Sequence, residues 1–249
     1  MAVEIKIMPG VAALNRVAAA EFKSAAESAI ADRGAFRVAL SGGNTPRSVY
    51  ALLAQEYKTA LDWGKIHIFF GDERHVPPDH PDSNYRMANE ALLSQVPIPP
   101  GNIHRIRAEL NPESAASDYE AQLRAEFKLK GGELPRFDLV LLGLGDDGHT
   151  ASLFPGTPAL RESTRLVVAN QVSRLNTFRI TLTYPVLNNA AEDLFMVSGK
   201  GKAEIAASVL RKSGAPEFPA QRVQPANGRL LWLLDQDAAA LLPSQEAKG

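Results

Sequence analysis

The fold is decided by one stretch of sequence, Phe36-Arg37-Val38-Ala39-Leu40-Ser41-Gly42-Gly43-Asn44-Thr45-Pro46. Its first five residues are mostly apolar and predict a short buried strand, after which the two glycines allow the chain to turn. A threonine followed by a proline is typical of a helix N-cap and the first helical residue, so Thr45 and Pro46 are expected to begin a helix. The stretch therefore predicts a strand, a loop and a helix in succession.

The same alternation is repeated along the chain. Apolar residues at steps of three and four predict a helix over 11–32 that ends at Gly34. Further strands are predicted at 66–70, 137–142, 178–183, 194–197 and 230–234, and further helices at 84–93, 114–127 and 202–210. Apolar strands of this kind are buried on both faces, and helices supply the crossovers of parallel pairing. We therefore predict a single-domain, doubly wound, Rossmann-like α/β fold with a mostly parallel sheet and helices on both faces.

The chain is expected to form one domain over residues 1–249. The proline-rich stretch 214–225 is the best candidate for a linker, but only about 25 residues follow it, too few for a second core. Residues 244–249 are expected to be a frayed tail.

Charge and composition exclude several classes of partner and site. Lys and Arg number 27 against 28 Asp and Glu, so no broad attraction for nucleic acid or an acidic membrane is expected. The sequence has no cysteine, which excludes disulfides, thiolate nucleophiles and Cys-based metal sites. Glu4 and Lys6 lie where a signal peptide needs its apolar region, and no apolar run is long enough to span a membrane. We therefore expect a cytoplasmic protein.

Three loops follow predicted strands, where ligands bind in open α/β sheets. In the first loop, 41–46, two glycines and a helix N-terminus suit a phosphate, although a tight turn capped by Thr45 explains the same residues. In the second loop, 71–78, Arg74 beside two carboxylates suits an oxyanion or a carboxylate ligand. His75 and His80 in this region lack a second pair of ligands, so no metal site is predicted.

The third loop, 143–155, contains G-x-G-x-x-G after a strand, which is a dinucleotide-binding pattern. Pro155 and the residues after it prevent the long helix that this pattern requires, so a nucleotide is not expected. His149 lies beside Asp146 and Asp147 at the end of the strand, where an imidazole can act as a base near neutral pH.

These loops together resemble the 6-phosphogluconolactonases. The similarity covers segments 41–46, 71–77, 143–155, 179–183 with 187–188, and the dipeptide 83–84. It runs in order from about residue 10 to Leu234, and the His149 loop is its most specific part.

The resemblance implies hydrolysis of 6-phosphoglucono-1,5-lactone in the oxidative pentose phosphate pathway, with neither a metal nor an organic cofactor. In this interpretation His149, with Asp147 beside it, activates the water, and Arg74 faces the lactone carbonyl or the product carboxylate. The residues assigned to the substrate are Ser41, Gly42, Gly43, Asn44, Thr45, Asp72, Arg179 and Lys202. Lys200 is an alternative to Lys202 for the phosphate. The expected partner is a small phosphosugar lactone, with no nucleic acid and no membrane, and the oligomeric state, a monomer included, is left open.

Two alternative functions are weighed against this one. Glucosamine-6-phosphate deaminases resemble the chain in the first loop and in the Asp-Gly-His segment, but their proton-transferring glutamate aligns with Phe154, which cannot move a proton. A non-enzymatic sugar-phosphate sensor of this fold needs a DNA-reading module, and residues 1–35 leave room for one strand and one helix without a basic patch. The lactonase interpretation is therefore preferred.

Overall fold

The structure, a computed structural model, describes residues 3–211 and 216–243. Its strands are β1 Val3–Met8, β2 Phe36–Leu40, β3 Ile66–Phe70, β4 Asp72–Arg74, β5 Leu139–Leu142, β6 Val167–Val172, β7 Thr177–Leu182, β8 Glu192–Val197 and β9 Arg229–Asp235. Its α-helices are α1 Val11–Arg33, α2 Asn44–Glu56, α3 Asn84–Ala88, α4 Pro112–Glu126, α5 Tyr184–Leu187 and α6 Ala203–Leu210.

Six strands form one parallel sheet in the order β1-β9-β8-β5-β2-β3. The central strands are apolar on nearly every residue because helices and loops cover both of their faces; β5, for example, is buried along its whole length. The predicted doubly wound, mostly parallel α/β fold is confirmed.

The order of the strands reverses between β2 and β5. From β2 the chain continues outward to β3, whereas β5 is followed on its other side by β8 and β9. A crevice forms at such a switch point, beyond the carboxyl ends of the strands, because the loops on either side diverge. The first loop follows β2 and the third loop follows β5, so both border this crevice.

A second, antiparallel sheet, in the order β4-β7-β6, begins directly after the first, since only Gly71 separates β3 from β4. The predicted strand 178–183 is present as β7 but belongs to this small sheet, and neither β4 nor β6 was predicted. Strand β1 was also missed. It alternates charged Glu4 and Lys6 with apolar residues, a pattern that suits the exposed edge of a sheet.

The predicted helix boundaries are partly correct. Helix α1 begins at Val11 and ends with Gly34 in the left-handed conformation, as predicted. The expected Thr45 cap is wrong, since the N-cap of α2 is Gly43 and the Thr45 hydroxyl lies 2.7 Å from that of Ser198. The predicted helix 84–93 is α3 followed by a π-helical turn over Asn89–Leu93.

The proline-rich stretch 214–225 is not a linker where the structure describes it. Pro219 and Ala220 are buried, and the Ala220 N–H donates to the carbonyl of Gly148 in the third loop. The predicted tail 244–249 and the first two residues of this stretch lie outside the described residues. Among the helices of the described part, none has the length and apolarity needed to cross a membrane.

Candidate active site

A cleft opens at the carboxyl ends of the parallel strands, where the three loops meet. Its lining comprises Ser41, Gly42, Asp72, Arg74, Asn84, Gly143, Leu144, Gly145, His149, Thr150 and Ala151. Of the residues that the sequence assigned to the site, five therefore line the cleft itself. The others, Gly43, Asn44, Thr45, Asp147, Arg179 and Lys202, are placed next to it by the contacts given below.

The first loop brings a buried hydroxyl to the cleft. The backbone of Ser41 is held by Tyr50, whose hydroxyl accepts from the Ser41 N–H at 3.0 Å and donates to its carbonyl at 2.8 Å. The Ser41 hydroxyl is itself buried and has no partner among the described residues. A polar atom left in this state can hydrogen-bond to a ligand.

The glycines of the first loop are required by close packing and by backbone conformation. A Cβ atom on Gly42 would lie 1.9 Å from the side-chain oxygen of Asn84, so no larger residue fits without displacing that side chain. Gly43 has φ of 111°, which L-residues rarely adopt. The chain then enters α2, so the backbone N–H groups of Asn44 and Thr45 lie in its first turn and carry the partial positive charge of the helix N-terminus.

Asp72 joins the second and third loops. This buried carboxylate accepts from the Ser152 hydroxyl at 2.6 Å and from the side-chain amide of Asn84 at 3.2 Å. Its hydrogen bonds therefore fix the position of the third loop against β4.

Glu73 was not assigned to the site from the sequence. Its hydrogen bonds hold the start of α3 against β4. It is buried and accepts from the backbone N–H groups of Arg74, Asn84 and Tyr85 and from the Ser83 hydroxyl. Burial raises the pKa of Glu73, and the three N–H donors oppose this effect without cancelling it. Both adjacent acids, Asp72 and Glu73, are buried, and the sequence pattern gave no sign that Glu73 would bind the backbone of Asn84 and Tyr85.

Two arginines occupy directly opposed positions on neighbouring strands, and one of them, Arg74, lines the cleft. Arg74 on β4 is the register partner of Arg179 on β7, and directly opposed residues have Cβ atoms about 5 Å apart. Burial and the charge of Arg74 lower the pKa of Arg179. Within residues 3–211 and 216–243 neither arginine has a carboxylate within 4.0 Å; Arg74 donates instead to the carbonyl of Asp82. Like charges held together in this way favour an anionic ligand.

His149 is paired with Asp147 across the turn of the third loop. The Nδ1 atom of His149 lies 2.5 Å from Oδ1 of Asp147. A Cβ atom on Gly145 would lie 2.0 Å from the imidazole, so this glycine makes room for the ring. Burial opposes ionisation of Asp147, but the hydrogen bond and charge of His149, with the charge of Arg174, lower its pKa overall. With Nδ1 donating to a carboxylate, the lone pair of the imidazole is on Nε2.

Arg174 and Phe154 complete the surroundings of this pair, and Arg174 was missed from the sequence. Its guanidinium lies 2.5 Å from Oδ2 of Asp147 and 5.1 Å from the centre of the Phe154 ring. The Phe154 ring stacks on His149 at 4.0 Å between ring centres. Arg174 follows β6, which was not predicted, and nothing local in the sequence indicated that it reaches the third loop.

Lys202 lies at the mouth of the third loop. Its ammonium group is 2.5 Å from Oδ1 of Asp146, whose side chain is 86% exposed. Lys200 is exposed and makes no side-chain hydrogen bond or ion pair with the described residues. Of the two lysines, Lys202 is therefore the one joined to a loop of the cleft.

His75 and His80 have other partners. A ring nitrogen of His75 lies 2.9 Å from the carbonyl of Leu110, and His80 accepts from the Asp82 N–H. In the described part of the chain they join no group of three metal-binding side chains.

Comparisons with known proteins identify the family of this chain. A family model described as "Glucosamine-6-phosphate isomerases/6-phosphogluconolactonase" matches residues 9–232. A curated 6-phosphogluconolactonase of Synechocystis sp. is 49% identical over 213 residues, covering 84% of this chain and 86% of the relative. One from Nostoc sp. is 45% identical and covers 87% and 88% of the two chains.

Structural comparison leads to the same family. The solved structure of 6-phosphogluconolactonase from Trypanosoma brucei superposes with a TM-score of 0.88 at 30% identity, covering 97% of this chain and 99% of that one. The resemblance inferred from the loops is thereby confirmed. Because the family model spans most of the sequence and relatives exceed 40% identity, the chain belongs to the family of glucosamine-6-phosphate isomerases and 6-phosphogluconolactonases.

Proposed function

We propose that this enzyme hydrolyses 6-phosphoglucono-1,5-lactone to 6-phosphogluconate in the oxidative pentose phosphate pathway, with His149 as the base. The enzyme class rests on curated 6-phosphogluconolactonases that are 43–49% identical over most of the chain. The proposal for the mechanism rests on one observation, that the Asp147–His149 pair reaches the cleft that Arg74 also lines.

His149 is suited to activate water. Asp147 fixes the ring through Nδ1, so Nε2 is the nitrogen available to a water molecule in the cleft, and it has no partner among the described residues. Asp147 also stabilises the imidazolium that forms when His149 takes the proton. Arg174 neutralises the second oxygen of Asp147 and holds that carboxylate in place.

The reaction follows from these positions. Water attacks the carbonyl carbon of the lactone, its proton passes to Nε2 of His149, and the carbonyl oxygen becomes an oxyanion. The bond between that carbon and the ring oxygen then breaks, and the imidazolium returns the proton to the leaving oxygen. The acid formed ionises at neutral pH, so one proton is released for each lactone hydrolysed.

Arg74 is proposed to stabilise the oxyanion and then the product carboxylate. Its guanidinium lines the cleft on the β4 side, and its charge is not neutralised by a carboxylate of the described residues. A charge held in a partly water-excluded cleft stabilises a developing oxyanion more than the same charge in bulk water does.

The phosphate is proposed to lie between the first loop, Arg179 and Lys202. The first turn of α2 presents backbone N–H groups, and the Ser41 hydroxyl is unpartnered in the described structure. Arg179 is half-buried beside a second cation, so a dianion would relieve their repulsion. Lys202 would exchange its exposed partner, Asp146, for the phosphate.

The surroundings of His149 argue against deaminase chemistry. Phe154, which aligns with the proton-transferring glutamate of the deaminases, stacks directly on the imidazole and supplies no titratable group. The glucosamine-6-phosphate deaminase that superposes on this chain is 22% identical, a likeness that concerns the fold alone.

An assay with freshly prepared 6-phosphogluconolactone tests the proposal. Ring opening is followed as proton release and corrected for spontaneous hydrolysis, with His149→Asn and the exposed-histidine variant His80→Ala measured in parallel. We expect wild type and H80A to accelerate hydrolysis equally and H149N to be strongly impaired. Full activity of a folded H149N enzyme would exclude His149 as the base.

A further inference from the structure

Outside the cleft, three metal-binding side chains converge at the edge of the parallel sheet. His67 lies on β3, His104 follows the 3-10 turn Pro100–Asn102, and Glu126 is the last residue of α4. Their nitrogen and oxygen atoms all lie within 4.8 Å of one another. Within residues 3–211 and 216–243 this is the only group of three such side chains so closely placed.

Two of the three separations are those expected between neighbouring ligands of one zinc ion, and the third is at most 4.8 Å. Nδ1 of His67 lies 3.3 Å from Nε2 of His104 and 3.2 Å from Oε1 of Glu126. Bonds of 2.0–2.1 Å in a tetrahedral site place neighbouring ligand atoms about 3.3 to 3.4 Å apart. The ring centres are 5.6 Å apart and the ring planes differ by 11°, so the two nitrogens face each other almost head-on. Both rings therefore have to tilt for their lone pairs to meet at one ion.

We propose that His67, His104 and Glu126 form a binding site for Zn²⁺. A proton on His67 Nδ1 has to be shared between two acceptors, whereas a metal ion engages all three side chains at once. Two imidazoles and one carboxylate are a ligand set that zinc accepts, with a fourth position left for water. The side chains of His67 and Glu126 are 20% and 24% exposed, so an ion and its water can enter.

The ligands are held in position by the surrounding structure. The backbone N–H of His104 donates to the carbonyl of Ile68 at 2.8 Å, and the His104 ring stacks on Phe69 at 4.3 Å between ring centres. Arg37, on the neighbouring strand, lies 3.5 Å from the same oxygen of Glu126 and partly offsets its charge. A bound ion would therefore share Glu126 with Arg37, which weakens the site without blocking it.

Zinc at this position would stabilise the fold and would take no part in the reaction. Strand β3 forms one edge of the sheet, and the site joins it to the segment at His104 and to the end of α4. His67 lies three residues before the carboxyl end of β3, which places it about 10 Å from the end that borders the cleft. The inference is independent of the proposed hydrolysis, because it involves none of the residues assigned to that reaction.

Metal titration of the full-length protein tests the site. After removal of metal with a chelator, Zn²⁺ is titrated calorimetrically and Co²⁺ by its visible absorption, for wild type, His67→Asn, Glu126→Gln, His80→Ala and His149→Asn. We expect one site in wild type, H80A and H149N, with the absorption of a tetrahedral Co²⁺ ion. In H67N and E126Q the affinity should fall by more than about 100-fold, since even an outer-shell partner contributes 10- to 100-fold.

Thermal stability gives a second readout of zinc binding that does not depend on lactone hydrolysis. Free Zn²⁺ at a hundredfold excess over Kd should raise the Tm of wild type by about 5 to 10 °C and leave that of E126Q unchanged. Mg²⁺, which prefers oxygen ligands, should raise neither. The proposal is overturned if wild type binds no Zn²⁺, or if binding persists in E126Q and H67N and is lost in H149N.

Discussion

Two clusters in this molecule combine histidine with a carboxylate and an arginine, and one of them adds a second histidine. At the cleft, His149 faces Asp147, and Arg174 lies on the far side of that carboxylate. At the sheet edge, His67 faces both Glu126 and a second imidazole, and Arg37 lies beside the carboxylate. Each cluster therefore pairs imidazole with carboxylate and guanidinium.

The difference is which nitrogen atoms remain available. In the cleft the carboxylate occupies Nδ1 and leaves Nε2 available, as the proposed general base requires. At the sheet edge, the nitrogens of two rings and a carboxylate oxygen converge on one point, as metal binding requires. Burial lowers the pKa of both His67 and His104, Arg37 adds to this effect, and Glu126 opposes it. The second imidazole and the arrangement around it separate the two proposed roles.

The strongest test of the comparison replaces one histidine in each cluster by alanine. His149→Ala should lower kcat by about 10² to 10⁴, the contribution of a positioned base. His67→Ala should leave kcat within about twofold of wild type, because it lies outside the cleft. Steady-state kinetics with thermal denaturation as a folding control measure both. Equal losses of kcat in the two variants would contradict the assignment of His149, but not His67, to the reaction.

The pH dependence of kcat in wild type tests the assignment of His149 as the base. Only a neutral imidazole accepts a proton, so kcat should fall as the medium becomes acidic. The lowered pKa of Asp147 keeps that group ionised well below neutrality, so its own protonation contributes only at still lower pH. An activity that rose on acidification would contradict a basic role for His149.

The next largest effect concerns the cations around the proposed phosphate site. Arg179→Ala or Lys202→Ala removes one charge-assisted contact of about 1.5 to 3 kcal/mol, so kcat/KM for the phosphorylated lactone should fall about 10- to 150-fold. Glucono-1,5-lactone without phosphate should already be a poor substrate of wild type, and these variants should lose little with it. Losses of equal size on both lactones would show that the cations are structural or act on the carbonyl.

A smaller effect is expected from Arg174, which pairs with the outer oxygen of Asp147 and lies over the Phe154 ring. Its side chain is 55% exposed, and an ion pair of that kind contributes up to about 1 kcal/mol, so Arg174→Ala should lower kcat about two- to fivefold with KM unchanged. Arg174→Lys should recover part of this loss. A rise in KM alone would show instead that Arg174 binds the substrate.

The smallest effect is expected from metal removal. A chelator should leave lactone hydrolysis unchanged, because the proposed chemistry uses His149, Asp147 and Arg74, whereas it should lower the Tm of a zinc-loaded sample. Activity and Tm are measured on the same preparation. Loss of activity that a single divalent ion restores would place a metal in the cleft and contradict the metal-free mechanism.

The sequence by itself determined the elements whose signals are local. Apolar runs predicted β2 and β3 to the residue, and Gly34 correctly ended α1, because strand burial and a left-handed cap are read from neighbouring residues. The strand-end loops could be recognised as a site for the same reason, since each follows its strand directly in the chain. The resemblance then named the family without any knowledge of distances.

Only the tertiary structure decided which distant residues meet. Register across an antiparallel pair brought Arg74 beside Arg179, and burial selected Glu73 as the residue that anchors Asn84. Arg174 reaches Asp147 from the turn after β6, a strand that was not predicted, and His67 meets Glu126 at the edge of the sheet. These contacts depend on sheet pairing and helix packing between segments far apart in the chain. Local sequence patterns do not indicate which distant segments pack together, so these contacts are known only from the folded structure.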